Sequence, residues 1–319
     1  MKCVLVTGGA GFIGSNLAEA LLRRGDMVRV VDNFSTGKRE NLAFTELDKT
    51  ALSRLEIMEG DLTEIELCRK AVKGMDYVLH QAAIPSVPRS IKKPIESNDA
   101  NINATLNLLV EARDGGVKRV VFSSSSSVYG NTPVLPKTEA MTPCPLTPYA
   151  VQKLTAEHYL RIFYELYGLE TVCLRYFNVF GQRQDPNSEY SAVIPKFIKA
   201  LLAGNRPMVF GDGEQSRDFT YVKNVVHGNL LALEAPNAAG KAMNLACGSR
   251  LTLNELLAIL KNIIGSKVEP VYADPRPGDV KHSHADISMS RELLGYEMQV
   301  SAEEGLAITV EYFKRLFGC

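Results

Sequence analysis

The sequence predicts an α/β protein in which helices cover both faces of a parallel sheet. Three features of its 319 residues lead to this class. Short apolar runs typical of buried strands alternate with helical periodicity over residues 1–177. A glycine-rich turn joins the first strand to the first helix, and an acidic residue follows the second strand. Several polar stretches then fall at strand ends, where such doubly wound, Rossmann-type sheets bind their ligands.

Six strands are expected in the first part of the chain. They are residues 2–7, 27–31, 55–58, 77–81, 117–123 and 170–176. Helices are expected between them, including one at 101–113 and one that begins beside Tyr149. The alternation becomes irregular beyond residue 177, where we expect a smaller C-terminal α/β lobe. Its helices are expected at 192–203, 223–233 and 252–264, the last with Thr252 and Glu255 as a capping box, and a strand is expected at 243–246.

The turn after the first strand has the chemistry of a dinucleotide site. Its glycines stand at Gly8, Gly11 and Gly14, a GxxGxxG spacing. Glycines let the backbone approach a pyrophosphate, and the following helix N-terminus supplies free N–H groups. Asp32 follows Gly14 by 18 residues, about where a ribose-binding acid stands. Its negative charge disfavours a 2′-phosphate, so we expect NAD rather than NADP.

The other strand ends extend this predicted NAD site. Asp61 follows the third strand, where it either contacts the adenine or caps the next helix. Taken together with the family resemblance described below, the residues expected to contact NAD are Gly8, Gly11, Phe12, Ile13, Gly14, Asp32, Asn33, Ser35, Thr36, Gly37, Asp61, Leu62, Gln81, Ala82, Ala83, Tyr149, Lys153 and Tyr176.

Tyr149 and Lys153 stand four residues apart, so one face of a helix carries both side chains. A nearby ammonium favours the phenolate, and we therefore expect Lys153 to lower the pKa of the Tyr149 phenol. Such a pair alone is typical of an ordinary helix face. Five serines at residues 123–127 add hydroxyls at the end of the fifth strand. By composition they resemble a linker, but apolar residues on both sides indicate a strand end.

Composition narrows the possible partners and the compartment. Lysine plus arginine and aspartate plus glutamate both number 36, which argues against a nucleic-acid surface. No apolar run reaches the roughly 20 residues of a membrane span. The six cysteines lack CxxC or metal-ligand spacing, so we expect no metal site and a reducing compartment. With no signal peptide evident, we expect a soluble, cytoplasmic protein.

Together these motifs resemble those of the extended short-chain dehydrogenases/reductases. The similarity is greatest to nucleotide-sugar C4-epimerases of the UDP-galactose and UDP-N-acetylglucosamine type. It covers about residues 1–317, and it is carried by the glycine turn, the serine-rich strand end, Tyr149 with Lys153, and residues 175–178, 216–218 and 276–279.

The resemblance implies bound NAD, a UDP-sugar substrate and a homodimer formed through helices 101–113 and 149–167, although the apolar faces of these helices also fit an intramolecular core. Residues 1–177 would bind NAD, with 215–240 packing back on them, and 178–319 would mainly bind the UDP-sugar. Ser125, Tyr149 and Lys153 would be catalytic. Substrate would be bound by Ser86, Ser125, Ser126, Tyr149, Asn178, Ala192, Val193, Lys196, Arg217, Arg276, Asp279 and Ser283.

The choice of subfamily rests on a few positions. Serines occupy residues 125–127, where the similar 4,6-dehydratases carry Thr-Asp-Glu, so a dehydratase is not expected. Asn178 stands where uronic-acid epimerases tend to have Thr. Ser283 stands where glucose-restricted epimerases have Tyr, which leaves room for an N-acetyl group. The alternative for Ser283 is a simple polar loop residue. The alternatives for the protein are a UDP-glucuronate 4-epimerase and a non-catalytic NAD-binding protein.

Overall fold

The structure, a computed structural model, describes residues 1–186, 193–275 and 281–318. The strands are β1 (Cys3–Thr7), β2 (Met27–Asp32), β3 (Leu55–Glu59), β4 (Tyr77–His80), β5 (Arg119–Ser125), β6 (Glu170–Tyr176), β7 (Val179–Phe180), β8 (Met208–Phe210), β9 (Ser216–Arg217), β10 (Thr220–Tyr221), β11 (Lys241–Leu245), β12 (Leu251–Thr252) and β13 (Val271–Ala273). The helices are α1 (Phe12–Arg24), α2 (Lys49–Leu52), α3 (Ile65–Val72), α4 (Val87–Lys92), α5 (Pro94–Asn98), α6 (Ala104–Asp114), α7 (Pro148–Tyr167), α8 (Val193–Leu202), α9 (Val222–Ala232), α10 (Leu253–Ile264), α11 (Ser288–Leu294) and α12 (Ala302–Phe317).

Seven parallel strands form the main sheet, in the order β3-β2-β1-β4-β5-β6-β11. The strand order reverses between β1 and β4, which are neighbours in space although β2 and β3 separate them in sequence. Ligands of doubly wound sheets bind outside the carboxyl ends at such a reversal. The predicted fold class is confirmed, and the ends of the six predicted strands differ from the observed ends by at most two residues.

The seventh strand, β11, corresponds to the strand predicted at 243–246. The predicted division left it in the smaller lobe, whereas the structure pairs it with β6 in the main sheet. Helix α9 also packs against α1 on one face of this sheet. The sequence predicts that a segment is a strand, but it does not predict its partner, because the pairing joins residues far apart in the chain.

Two apolar cores lie on opposite faces of the sheet. One includes Leu17 and Leu21 of α1, and the other includes Leu108 of α6 and Leu160 of α7, all of which are fully buried. Burying one leucine side chain stabilises a fold by about 1.5–3 kcal/mol, so these helices are firmly attached to the sheet. A third core joins α8, α10 and α12 in the smaller lobe.

The helix that carries Tyr149 has clear start and stop signals. The Thr147 side chain accepts a hydrogen bond from Ala150 N at 3.3 Å, and Pro148 takes the first helical position. Gly168 ends α7 in the left-handed conformation. The helix predicted to begin beside Tyr149 is therefore confirmed. The capping box predicted for α10 is also present. Within the described residues, no helix has the length and apolar character needed to cross a membrane.

Candidate active site

The larger of the two described cavities lies at the carboxyl ends of β1, β2, β4 and β5 and has a volume of about 1190 Å³. We call this cavity the cleft. All residues predicted to contact NAD line it except Gly37. The predicted residues along its walls are Gly8, Gly11, Phe12, Ile13, Gly14, Asp32, Asn33, Ser35, Thr36, Asp61, Leu62, Gln81, Ala82, Ala83, Tyr149, Lys153 and Tyr176, together with Ser86, Ser125, Ser126 and Asn178.

The glycine turn allows close backbone packing at the strand reversal. Gly8 has a φ of +64°, and a Cβ there would lie 2.7 Å from the backbone of Ala82 at the end of β4. A Cβ on Gly14 would clash with the carbonyl of Gly8. Helix α1 then begins at Phe12 without an acidic residue or a side-chain cap in its first turn. The unpaired N–H groups of that turn can therefore bind an anion.

Asp32 is a buried acid fixed by the backbone around it. Its Oδ2 accepts a hydrogen bond from Ala10 N, and its Oδ1 accepts one from Phe34 N, both at 2.9 Å. Burial raises the pKa of the carboxyl, and these two N–H donors partly counter the rise. A Cβ on Gly37 would lie 2.9 Å from the carboxylate oxygens, so a side chain at position 37 would displace Asp32. The remaining lone pairs of Asp32 can accept ribose hydroxyls.

Asp61 does not cap the next helix. Its carboxylate accepts hydrogen bonds from Thr63 N at 2.9 Å and from Asn33 Nδ2 at 2.7 Å. Helix α3 begins later, with Glu64 at the N-cap position. Asp61 therefore closes the turn ahead of α3 while it lines the cleft. Of the two alternatives drawn from the sequence, helix capping is wrong.

Tyr149, Lys153 and Ser125 meet at the ends of α7 and β5. Lys153 Nζ donates a hydrogen bond to the carbonyl of Ser123 at 2.7 Å and lies 5.9 Å from the centre of the Tyr149 ring. Its ammonium also lies over the ring of Phe122, 4.6 Å from the centre. The Ser125 hydroxyl is within hydrogen-bonding reach of the phenol. This group can exchange a proton with a bound hydroxyl in the cleft.

The pKa of the Tyr149 phenol departs from expectation. Burial raises it to about 12, and the hydrogen bond with Ser125 counters only part of the rise. Burial also lowers the pKa of Lys153 to about 7. The net shift of the phenol pKa is therefore upward, because burial disfavours the phenolate more strongly than its neighbours favour it. The sequence shows that two groups are close, but it does not show how strongly burial disfavours the charge on each.

The serine run is the end of β5, not a linker. Ser123 donates a hydrogen bond to His80 O at 3.0 Å, and Ser124 donates one to the Glu157 carboxylate. Ser125 Oγ accepts a hydrogen bond from Ser127 N at 3.2 Å. The run thus links neighbouring elements and leaves Ser125 and Ser126 along the cleft.

A second cavity of about 240 Å³ lies in the smaller lobe. Most of its lining is apolar and includes four phenylalanines, and the predicted substrate residues Val193, Lys196 and Arg217 also line it. Asn178 lines both cavities and has a φ of +31°. Arg217 Nη1 donates a hydrogen bond to the carbonyl of Lys281 at 3.1 Å. One ligand can therefore extend from the cleft into the lobe past Asn178.

The other predicted substrate residues are placed differently. Ala192, Arg276 and Asp279 lie outside the described residues. Ser86 lines the cleft, and its hydroxyl also caps α4 by accepting Arg89 N at 3.1 Å. Ser283 is partly buried and donates its N–H to Ser216 O at 2.9 Å. It lines neither of the two described cavities.

Several charged residues that line the cleft were not among the site residues predicted from the sequence. Arg89 and Glu96 form an ion pair there. Arg183, in a stretch predicted only as a polar loop, forms an ion pair with Glu19 of α1. Its φ of +66° is unusual for an arginine, and the sequence has no local signal for that conformation.

A dinucleotide cradle beside a tyrosine, a lysine and a serine defines the site of a short-chain dehydrogenase/reductase type of protein. A family model described as the NAD dependent epimerase/dehydratase family matches residues 4–246. The chain belongs to this family, and it is an NAD-dependent enzyme of the epimerase type.

Three solved structures are similar to this chain over nearly its full length. The UDP-N-acetylglucosamine 4-epimerase of Methanobrevibacter ruminantium M1, in complex with UDP-N-acetylmuramic acid, is 44% identical, with a TM-score of 0.93 and 99% of both chains covered. The UDP-glucose 4-epimerase of Thermotoga maritima, with UDP-glucose, is 40% identical, with a TM-score of 0.92 and coverage of 98% of this chain and 99% of that one. The UDP-glucuronic acid 4-epimerase of Bacillus cereus, with UDP-glucuronic acid and NAD, is 33% identical, with a TM-score of 0.89 and coverage of 98% and 99%.

Asp32→Asn tests cofactor choice. The substitution removes the negative charge that repels a 2′-phosphate, and we expect the ratio of NADP to NAD affinity to rise about tenfold, equivalent to about 1.4 kcal/mol. Calorimetric titration of protein stripped of its cofactor would measure both dissociation constants. Asp26→Asn is the control. Asp26 is also a buried acid that accepts a backbone hydrogen bond, from Lys2 N, but it does not line the cleft. An unchanged ratio in Asp32→Asn would contradict this role.

Proposed function

We propose that this chain, an NAD-dependent UDP-sugar 4-epimerase, interconverts UDP-N-acetylglucosamine and UDP-N-acetylgalactosamine as well as UDP-glucose and UDP-galactose. The observation that carries the proposal is the group of Tyr149, Lys153 and Ser125 on a cleft that shares Asn178 with a second cavity. One cleft thus combines a turn that can bind the pyrophosphate of NAD with a group that can transfer a proton. Reversible oxidation of a sugar hydroxyl requires both. The similar structures named for N-acetylglucosamine and for glucose support both substrate pairs.

Tyr149 is the proposed base for the sugar 4-hydroxyl. The phenolate takes the hydroxyl proton, directly or through Ser125, while C4 gives up its hydrogen as hydride and becomes a carbonyl. NAD, which the glycine turn, Asp32 and Lys153 would hold, would supply reversible hydride transfer at C4. The 4-keto sugar turns about its diphosphate linkage, so that hydride returns to the other face and Tyr149 returns the proton to oxygen. The overall reaction leaves the enzyme and its cofactor unchanged.

Lys153 supports the phenolate. With a phenol pKa of about 12 in this structure, the base needs positive charge nearby to form at neutral pH. The Lys153 ammonium supplies that charge when it is protonated, and its hydrogen bond to Ser123 O holds it beside Tyr149. A partly exposed lysine would be screened by water, whereas this one is 3% exposed.

The lobe holds the nucleotide end of the substrate in this proposal. Arg217 lines the second cavity, and a guanidinium fork matches phosphate oxygens. Arg276 and Asp279, which lie outside the described residues, are proposed to hold the diphosphate and the uridine ribose. Val193 and Lys196 line the same cavity and are proposed to contact the uridine side, as is Ala192.

Two other functions predict different results. A UDP-glucuronate 4-epimerase has support from the similar Bacillus cereus enzyme, but Asn178 replaces the Thr that such enzymes tend to carry. A non-catalytic NAD-binding protein would have no need for the complete set of Tyr149, Lys153 and Ser125. Turnover of each UDP-sugar, or of none, separates these functions.

We also propose that the chain forms a homodimer through α6 and α7. These helices pack against each other, and partly exposed apolar side chains recur every four residues at Ile102, just before α6, and at Leu106 and Val110 on α6. On α7, Val151 is 47% exposed and Leu166 is 70% exposed. A second copy that covers this outer face would stabilise the pair, because it removes apolar surface from water.

Epimerisation without added NAD tests the proposed function. We expect purified protein to convert UDP-N-acetylglucosamine into UDP-N-acetylgalactosamine, measured by NMR of the sugar protons. Tyr149→Phe removes the base and should lower the rate by about 10²–10⁴-fold while NAD stays bound. Near wild-type turnover in Tyr149→Phe would contradict its role. Conversion of UDP-glucuronate alone would favour the alternative epimerase.

Ser283→Tyr tests the proposed size limit at the sugar. A bulky phenol in place of the small hydroxyl should suppress turnover of the N-acetylated sugars and spare UDP-glucose and UDP-galactose. The ratio of kcat/KM for the two classes is the measurement. Ser288→Tyr, on an exposed position of α11, is the matched control. Equal losses on both classes in Ser283→Tyr would argue against a size limit at this position.

Leu106→Glu tests the dimer. A carboxylate in the apolar stripe should convert a wild-type dimer into a monomer, measured by light scattering during gel filtration. Leu316→Glu is the control, because Leu316 is an exposed leucine on α12. A monomeric wild-type protein, or a variant that remains dimeric, would contradict the proposed interface.

A further inference from the structure

Glu157 is a buried acid close to the proposed catalytic group. It follows Lys153 by four residues on α7, so the two side chains lie on the same helix face. Glu157 is 6% exposed and Lys153 is 3% exposed. We propose that Glu157 is a positioning residue that keeps Lys153 protonated and fixed against the end of β5. This role rests on the proposed epimerase function.

Contacts from two strands hold the Glu157 carboxylate. Arg175 of β6 donates from Nε to Oε1 at 2.9 Å and from Nη2 to Oε2 at 2.7 Å. Ser124 of β5 donates its hydroxyl to the same Oε1. Ser124 directly follows Ser123, whose carbonyl accepts Lys153 Nζ. The carboxylate therefore fastens α7 to β5 at the point where Lys153 is anchored.

The other buried titratable groups that face Lys153 are neutral near pH 7. Burial lowers the pKa of His80 on β4 to about 3, and the charge of Lys153 adds to that effect. Burial raises the pKa of the Cys173 thiol on β6 well above its usual range. The Tyr149 phenol has a pKa of about 12. None of these three groups supplies the negative charge that a buried ammonium needs.

The helices packed against α7 bring further charged groups to the cleft. Arg89 of α4 and Glu96 of α5 pair with each other. Asp99 accepts a hydrogen bond from Asn103 Nδ2 at 2.7 Å. All of these side chains are partly exposed, so water screens their charges. The buried Glu157 is therefore the acid best placed to act on Lys153.

Electrostatics support the same assignment. Burial lowers the pKa of Lys153 to about 7, and the Glu157 carboxylate is the largest influence that raises it. The Arg175 guanidinium shares this carboxylate and remains positive, because Glu157 raises its pKa against the effect of burial. Without the carboxylate, two buried cations would repel each other and Lys153 would lose its proton more readily.

Glu157→Gln removes the charge and keeps the size of the side chain. Lys153 must be protonated to favour the phenolate, so activity is lost as the pH rises through the Lys153 pKa. This loss forms the alkaline limb of the kcat–pH profile. A lower Lys153 pKa in Glu157→Gln should move the limb to lower pH, by about one unit or more. Glu111→Gln is the matched control. Glu111, on α6, is 4% exposed, and its carboxylate accepts two hydrogen bonds from Arg69. We expect no shift in that control.

The double variant Glu157→Gln/Arg175→Gln separates positioning from simple stabilisation. It removes the unpaired arginine charge that could prevent Glu157→Gln from folding. If Glu157 only neutralises Arg175, the double variant should regain the wild-type alkaline limb. We expect the limb to remain at lower pH, because Lys153 still lacks its carboxylate. A wild-type limb in either variant would overturn the assignment.

A second readout does not depend on turnover. The phenolate absorbance of Tyr149 can be titrated in the NAD-bound protein, with Tyr149→Phe as the blank. We expect Tyr149 to ionise at higher pH in Glu157→Gln, since its partner Lys153 is less charged. An unchanged titration would overturn the role of Glu157. If the wild type converts no UDP-hexose, the proposed function fails, while this titration still decides the role of Glu157.

Discussion

The burial of the Lys153 ammonium at the end of β5 is the constraint on which the site depends. A charge in this position is unfavourable unless its hydrogen bonds and neighbouring charges compensate for lost water. The Ser123 carbonyl, the face of Phe122 and the carboxylate of Glu157 offset part of that loss, and burial still lowers the pKa of Lys153 to about 7. The same burial strengthens the effect of the ammonium on Tyr149, because little water screens it. Thus the feature that costs stability is also the feature that can support a phenolate.

The sheet brings the parts of this site together. Strand β1 leads into the glycine turn, β2 ends at Asp32, and β5 ends at Ser125, all at the same edge. Helix α7 returns across this edge because Thr147 and Pro148 start it there. The smaller lobe adds the second cavity, which meets the cleft at Asn178. In the proposed function, the nucleotide sugar spans both parts, with its sugar in the cleft and its nucleotide end in the lobe.

Much of this arrangement could be predicted from local sequence signals. Gly8, Asp32 and the Tyr149–Lys153 pair each depend on neighbours within a short stretch, and the structure brings them to one cleft. The pairing of β11 with β6 was not predicted, because strand partners are chosen by long-range packing.

The missed parts of the site have a similar cause. Arg183 reaches the cleft through a positive φ and an ion pair with Glu19, neither of which has a sequence signature. The direction of the Tyr149 pKa shift also depends on burial, a property of the whole fold rather than of the Tyr149–Lys153 spacing. Sequence patterns thus predicted which groups meet, whereas the fold determines their charge.

In the proposed reaction, one hydrogen leaves C4 of the sugar and returns to the same carbon on its other face. Epimerisation of UDP-N-acetylglucosamine in D₂O tests this directly, with NMR used to measure deuterium at C4 of the product. We expect UDP-N-acetylgalactosamine that carries no solvent deuterium at C4, because the transferred hydride does not exchange with water. Deuterium at C4 of the product would contradict it.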